Sequence, residues 1–213
     1  MAILEDISFA MQKGKAKDVI ALEQEALDQG LSAQKILEEA LLKGMAELGA
    51  RFKNNEVFVP EVLIAARALN KGTEFLKSRL IEEGVRSIGK AVICTVKGDL
   101  HDIGKNLVKM MLEGAGFEVI DLGVDVGEDR IVESIREHSP QVVCLSALLT
   151  TTMYQQGVVI EALKAAGLRD KVKVMVGGAP VTKAFCDQIG ADAYALDAGT
   201  AVEVAKAFAQ RAS

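Results

Sequence analysis

The chain has 213 residues, half of them hydrophobic and only 4% aromatic, and its 25 basic and 30 acidic residues leave a formal charge of −5 at pH 7. That length suits one large domain or two small ones with an aliphatic core, and the absence of a basic stripe excludes nucleic acid as the main partner. No signal-peptide pattern opens the chain and no apolar run is long enough to span a membrane; with Cys94, Cys144 and Cys186 odd in number and widely spaced, buried free thiols in a cytoplasmic protein are expected.

The first part of the chain reads as helices only. A short helix is predicted over Leu4 to Lys13. A second runs from Ala16 to Gln29 with Val19, Leu22 and Ala26 on one face and Gly30 placed to stop it. Ser32 can cap a third, in which Leu37, Leu41, Met45 and Leu48 recur at helical spacing. In "NNEVFVPEVLIAARAL", Pro60 fits the first turn of a fourth helix and Glu61 suits the positive end of its dipole. Its stripe of Val62, Ala66 and Leu69 continues to Leu76 and Leu80. Residues 1–82 are therefore expected to form a four-helix bundle, with 83–90 as a linker.

From residue 91 the period changes. "AVICTV", "FEVIDLG", "VVCLSAL", "VKVMVGG" and "AYAL" are short strand patterns, and helical patterns lie between and after them at 103–114, 128–137, 153–166, 181–189 and 199–211. Strands alternating with helices imply a five-stranded, doubly wound parallel sheet over 91–213, covered on both faces. Ligands on such sheets bind at the carboxyl ends of the strands, here 96–101, 122–126, 146–152 and 177–182.

Polar and small residues cluster at those ends. "KGDLHDIGKNLV" carries Asp99 and His101, one of only two histidines in the chain. A carboxylate two residues from an imidazole can fix its tautomer and leave the other nitrogen free as a ligand; a loop histidine satisfied by a local aspartate is the alternative. One imidazole makes a poor zinc site, because zinc takes three or four protein ligands. A metal that brings its own equatorial ligands needs only one, which points to a macrocycle. In "SALLTTT", Ser146, Thr150, Thr151 and Thr152 follow an apolar strand, and one of these hydroxyls could cap the next helix. "GGAP" is either a plain turn or, through Gly177 and Gly178, a place where something bulky lies against the backbone. "EGAGFEV" ends a helix and precedes a strand, the reverse of a dinucleotide-binding order.

Taken together, "GDLHDIGKNLV", "SALLT" and "GGAP" resemble the Asp-x-His-x-x-Gly, Ser-x-Leu and Gly-Gly elements of cobalamin-binding domains. "FVPEVLIAARAL" is similar to the helical cap of the methyltransferase branch, which includes stand-alone corrinoid proteins and the cobalamin module of methionine synthase. The resemblance implies a flavodoxin- or Rossmann-like domain holding cobalamin, with methylcobalamin as the loaded form. It implies that His101 is the lower cobalt ligand, that Asp99 bonds its other nitrogen and that Thr152, where serine is common in the family, completes a relay. Asp102, Ile103 and Gly104 fall within the cofactor-binding motif. Ser146, Leu148 and Thr150 would meet the cofactor's nucleotide tail, with room left by Gly104, Gly177 and Gly178. Phe58, Val59 and Val62 would belong to the segment covering the methyl face. The implied function is a corrinoid carrier moving a methyl group between a substrate-specific methyltransferase and a thiol or folate methyltransferase, with a reductive activase as a further partner. A cobalamin-dependent sensor is the alternative, although no basic DNA-binding helix is present.

Overall fold

The computed structural model describes residues 2–211 and divides into two compact units. One comprises the chain up to Ser87 together with Glu113–Gly116; the other comprises Ile88–Leu112 and the chain from Phe117 onward.

The first unit is helical: α1 (Ala2–Gln12), α2 (Ala16–Asp28), α3 (Ala33–Ile36), a π-helical stretch (Leu37–Leu42), α4 (Lys43–Lys53) and α5 (Val59–Glu82). The Ser32 hydroxyl accepts from Lys35 N and caps α3. Glu61 accepts from Phe58 N at 2.7 Å, which closes the first turn of α5 beside Pro60. The third predicted helix is not uniform. Its π-helical turns hold extra residues and rotate the stripe, so Ile36 and Ala40 are fully buried while Leu37 is only half-buried. In α2 the expected inward residue Leu22 is half-buried, and Glu23 occupies the core position beside Val19 and Ala26.

The second unit is a parallel sheet in the order β2-β1-β3-β4-β5, with β1 Gly89–Thr95, β2 Phe117–Asp121, β3 Val142–Ser146, β4 Lys173–Gly177 and β5 Ala193–Ala195. Gly89 and Lys90 thus open the first strand. The following helices are α6 (Ile103–Glu113), α7 (Glu128–His138), α8 (Gln155–Ala165), α9 (Lys183–Ile189) and α10 (Ala198–Arg211). Strands buried on both faces read as continuous apolar runs, and Val92, Cys94, Val143, Leu145, Val174 and Val176 all lie in one core cluster. All three cysteines are buried and free, and burial pushes the Cys94 and Cys144 thiols up to about 12. No described helix is long and apolar enough to cross a membrane. The strand order reverses between β1 and β3, which pair from Ala91↔Val142 to Thr95↔Ser146. The loops leaving these two strands therefore start side by side, at the crevice where such sheets take ligands.

Candidate functional site

The loop after β1 turns at Gly98, whose φ is +80°, and Asp99 N donates to Val96 O at 3.1 Å. This turn directs Asp99 inward, where it is 0% exposed. Its Oδ1 accepts from His101 Nδ1 at 2.7 Å and from His101 N at 3.1 Å. Its Oδ2 accepts from the Thr152 hydroxyl at 2.6 Å, Leu148 N at 2.8 Å and Leu149 N at 3.3 Å. One carboxylate thus joins the β1–α6 and β3–α8 loops.

Burial alone would raise the pKa of Asp99. The hydrogen bonds from Thr152, Leu148 and His101 outweigh burial and hold the carboxyl well below the usual carboxylate range. The stable anion places the imidazole proton on Nδ1 and leaves the Nε2 lone pair free. The His101 side chain is 49% exposed, so Nε2 is open to an incoming ligand. The Thr152 hydroxyl has one proton to give; its bond to the charged Asp99 is shorter than the 3.1 Å to Leu149 O and is the stronger of the two.

Further residues brace this loop. The Thr95 hydroxyl donates to His101 O at 2.8 Å. Asp125 Oδ1 accepts from Gly98 N at 2.6 Å, and Asp125 N donates to Asp99 O at 3.0 Å. At the start of α6, the almost fully buried Lys105 ammonium donates to both oxygens of Asp121, at 2.7 and 2.8 Å, tying the helix to the end of β2. At the ends of β3 and β4, the buried Gln156 amide donates to Leu145 O at 3.0 Å and Gly177 O at 3.1 Å. The sequence reading named none of these. Thr95 and Gln156 sit inside apolar patterns, and Asp125 and Lys105 look like surface charges. A lone hydroxyl at the last position of a buried strand was the one available signal.

The other expected site residues fall as follows. Asp102 is exposed just before α6 and accepts from Asn106 Nδ2 at 3.0 Å. Ile103 is 79% exposed, and a Cβ added to Gly104 would meet nothing within 4 Å. Ser146 is half-buried at the end of β3, and Leu148 and Thr150 are exposed beyond it. Helix α8 has no side-chain cap, so none of the threonines before it serves as one. Gly177 and Gly178 are accounted for by the chain itself. A Cβ on Gly178, at φ +125°, would overlap the carbonyl of Ala147, and one on Gly177 would crowd Ala195 O at 3.1 Å. In the helical unit the Phe58 ring is exposed, Val59 is half-buried and Val62 is fully buried.

The donor set has a specific chemical meaning. Among the described residues no group of three or more His, Cys, Asp or Glu converges on a point where a bare ion would sit. The loop that carries the open imidazole nitrogen also exposes Leu100 and Ile103, and the β3–α8 loop bonded to Asp99 exposes Leu148 and Leu149, with open space at Gly104. One nitrogen donor on loops with exposed apolar side chains fits a flat metal macrocycle, which supplies the remaining ligands itself.

Comparison with known proteins gives the same chemistry. The B12 binding domain family matches residues 89–206, and a second B12 binding domain family matches residues 3–77. The dimethylamine corrinoid protein of Methanosarcina barkeri is 45% identical over 206 residues, 96% of each chain. A cobalamin-binding protein from Desulfitobacterium hafniense superposes with a TM-score of 0.79 at 34% identity, covering 96% of this chain and 98% of that one. A chain of the methanol:cobalamin methyltransferase complex of Methanosarcina barkeri gives a TM-score of 0.90 at 29% identity, covering 98% of this chain and 80% of that one.

Proposed function

The chain belongs to the B12-binding corrinoid proteins, and from that premise we propose that it is a methyl carrier, loaded by one methyltransferase and discharged by another. The corrinoid, when bound, supplies a cobalt centre that accepts and releases a methyl group. The protein's own residues do the rest. His101 would hold the cobalt through Nε2. Asp99 fixes its tautomer and holds the ring in place. Thr152 and the Leu148 amide hold Asp99 in place. Ile103, Gly104 and Leu148 give an apolar and open approach beside the ligand, and Ser146 and Thr150 offer hydroxyls to the polar tail. Asp102, Gly177 and Gly178 fix the loops that carry these groups. Phe58 and Val59 are assigned to shielding the reactive face, with Val62 supporting them from within the helical unit.

The observation that carries this reading is the joined Asp99–His101–Thr152 cluster, in which one imidazole nitrogen is committed and the other is open. A carrier is favoured over a sensor because the relatives are corrinoid proteins named for methylamines, and one structural counterpart sits in a methyltransferase complex. The partners are then a substrate-specific methyltransferase, a thiol or folate methyltransferase and a reductive activase, all cytoplasmic.

The test is a spectral titration of the chain reconstituted with cobalamin and reduced to cobalt(I). Alone it should not demethylate methylamines, methanol or methoxy-aromatics. With the cognate methyltransferase it should take up methyl stoichiometrically, and an acceptor methyltransferase should discharge it. Repeated turnover by the isolated chain would make it an enzyme in its own right. Failure with every methyltransferase, together with corrinoid-dependent binding to DNA or a signalling partner, would favour the sensor.

A further inference from the structure

Thr95 is the last residue of β1 and is 0% exposed. A buried hydroxyl is costly unless it is paired, and this one donates to the backbone carbonyl of His101 at 2.8 Å. The main chain of Thr95 is itself fixed at both polar atoms by the loop after β2: its N–H donates to Gly123 O at 3.0 Å and its carbonyl accepts from Val126 N at 3.1 Å. The hydroxyl therefore links a rigid point of the sheet to the residue that presents the open imidazole. His101 is held at three atoms: N and Nδ1 by Asp99 Oδ1, and O by Thr95. The two bonds to Asp99 set the ring relative to the carboxylate. The third sets the peptide that leaves His101 toward α6.

We infer that Thr95 is a positioning residue for His101: its hydroxyl fixes the backbone rotation that aims Nε2 of His101 out of the loop. This rests on His101 being the cobalt ligand. Thr95 touches neither cofactor nor substrate and acts through His101. Asp99 orients the imidazole from the side-chain end, and Thr95 orients it from the main-chain end.

The test compares Thr95→Val, which keeps the volume and the strand but removes the donor, with Thr95→Ser, which keeps the donor. Each full-length protein is reconstituted with cobalamin and reduced to cobalt(II). Electron paramagnetic resonance with nitrogen-15-labelled histidine reads the ratio of imidazole-bound to imidazole-free cobalt, and absorbance gives cofactor stoichiometry. Thr95→Val should bind cobalamin at wild-type stoichiometry while the ratio falls about three- to tenfold, the scale set by one lost hydrogen bond. Thr95→Ser should restore the ratio to within about twofold of wild type. Urea denaturation of the same samples reports folding separately. A wild-type ratio in Thr95→Val, whatever its stability, would overturn the positioning role while leaving His101 as the ligand. Equal losses in Thr95→Val and Thr95→Ser would also overturn it. If wild-type protein shows no coupling to protein imidazole, the ligand assignment itself falls, and the role of Thr95 falls with it.

Discussion

Among the described residues, each unit buries one carboxylate completely, and the two are opposite in character. Asp99, in the α/β unit, spends both oxygens on hydrogen bonds from Thr152, two backbone amides of the β3–α8 loop and His101. Glu23, in the helical unit, has no partner on either oxygen, and the nearby Thr73 hydroxyl on α5 is also unpaired. It lies against α5 at Gly72, where an added Cβ would overlap Glu23 Oε1 and crowd Val19 at 2.9 Å. Burial disfavours the charge of both groups. With no partner to oppose it, burial pushes Glu23 up to about 8, whereas hydrogen bonding carries Asp99 well below its ordinary value. The lesson is that depth decides the cost of a charge and local donors decide its sign. The Asp99 kind of carboxylate suits an imidazole partner, because a stable anion accepts firmly from the ring N–H and holds it in one tautomer.

The contrast breaks most visibly at Asp99. Asp99→Ala should cost about 3 kcal/mol, because it strips the partner from the Thr152 hydroxyl, the Leu148 amide and the imidazole at once. Both tyrosines, Tyr154 and Tyr194, lie in the α/β unit. Tyrosine fluorescence in urea therefore follows that unit, and far-ultraviolet circular dichroism follows both. The loss should appear in the tyrosine transition.

Glu23→Met replaces the lone carboxyl by an apolar chain of similar length and should stabilise the helical unit, more at pH 8 than at pH 4. The direction follows from proton binding. Glu23 holds its proton in the folded state up to about 8 but loses it near 4.5 when unfolded, so stability falls as pH rises through that window. Asp99 runs the other way: its contribution is present above the unfolded pKa and is lost as pH falls toward the depressed folded value. Acid should therefore unfold the tyrosine-reporting unit first, and mild alkali should weaken the helical unit first. A pH series of urea melts followed by both signals checks this, and a flat response of the helical signal between pH 5 and 8 would show that Glu23 has found a partner.

The smallest effect on stability is expected at Gly104. The added methyl of Gly104→Ala meets nothing within 4 Å, and the residue sits in the first turn of α6, so stability should rise by about 0.5 kcal/mol. Cobalamin affinity, measured by equilibrium dialysis, should fall if that open space belongs to the ligand.

Composition and periodicity alone specified the division into a helical and an α/β part, because a repeat of two to four apolar residues declares its secondary structure locally. The order of strand and helix patterns brought the polar stretches after the first and third strands to one edge of the sheet, and the resemblance to cobalamin-binding domains singled out Asp99, His101 and Thr152 among them. What the chain could not declare locally were groups whose meaning comes from elements distant in sequence. Glu23 looks like any surface acid until α5 packs over it. Thr95 and Gln156 look like minor interruptions of apolar runs until a loop carbonyl or a strand end arrives beside them. Gly178, read either as part of a turn or as room for a ligand, is required by the carbonyl of Ala147 just past the end of β3. The π-helical turns that move Ile36 inward in place of Leu37 belong to the same class, because where a helix widens is settled by what the turn packs against. Local pattern fixed which residues could carry the chemistry, and tertiary packing decided which of them are held, which are strained and which are charged.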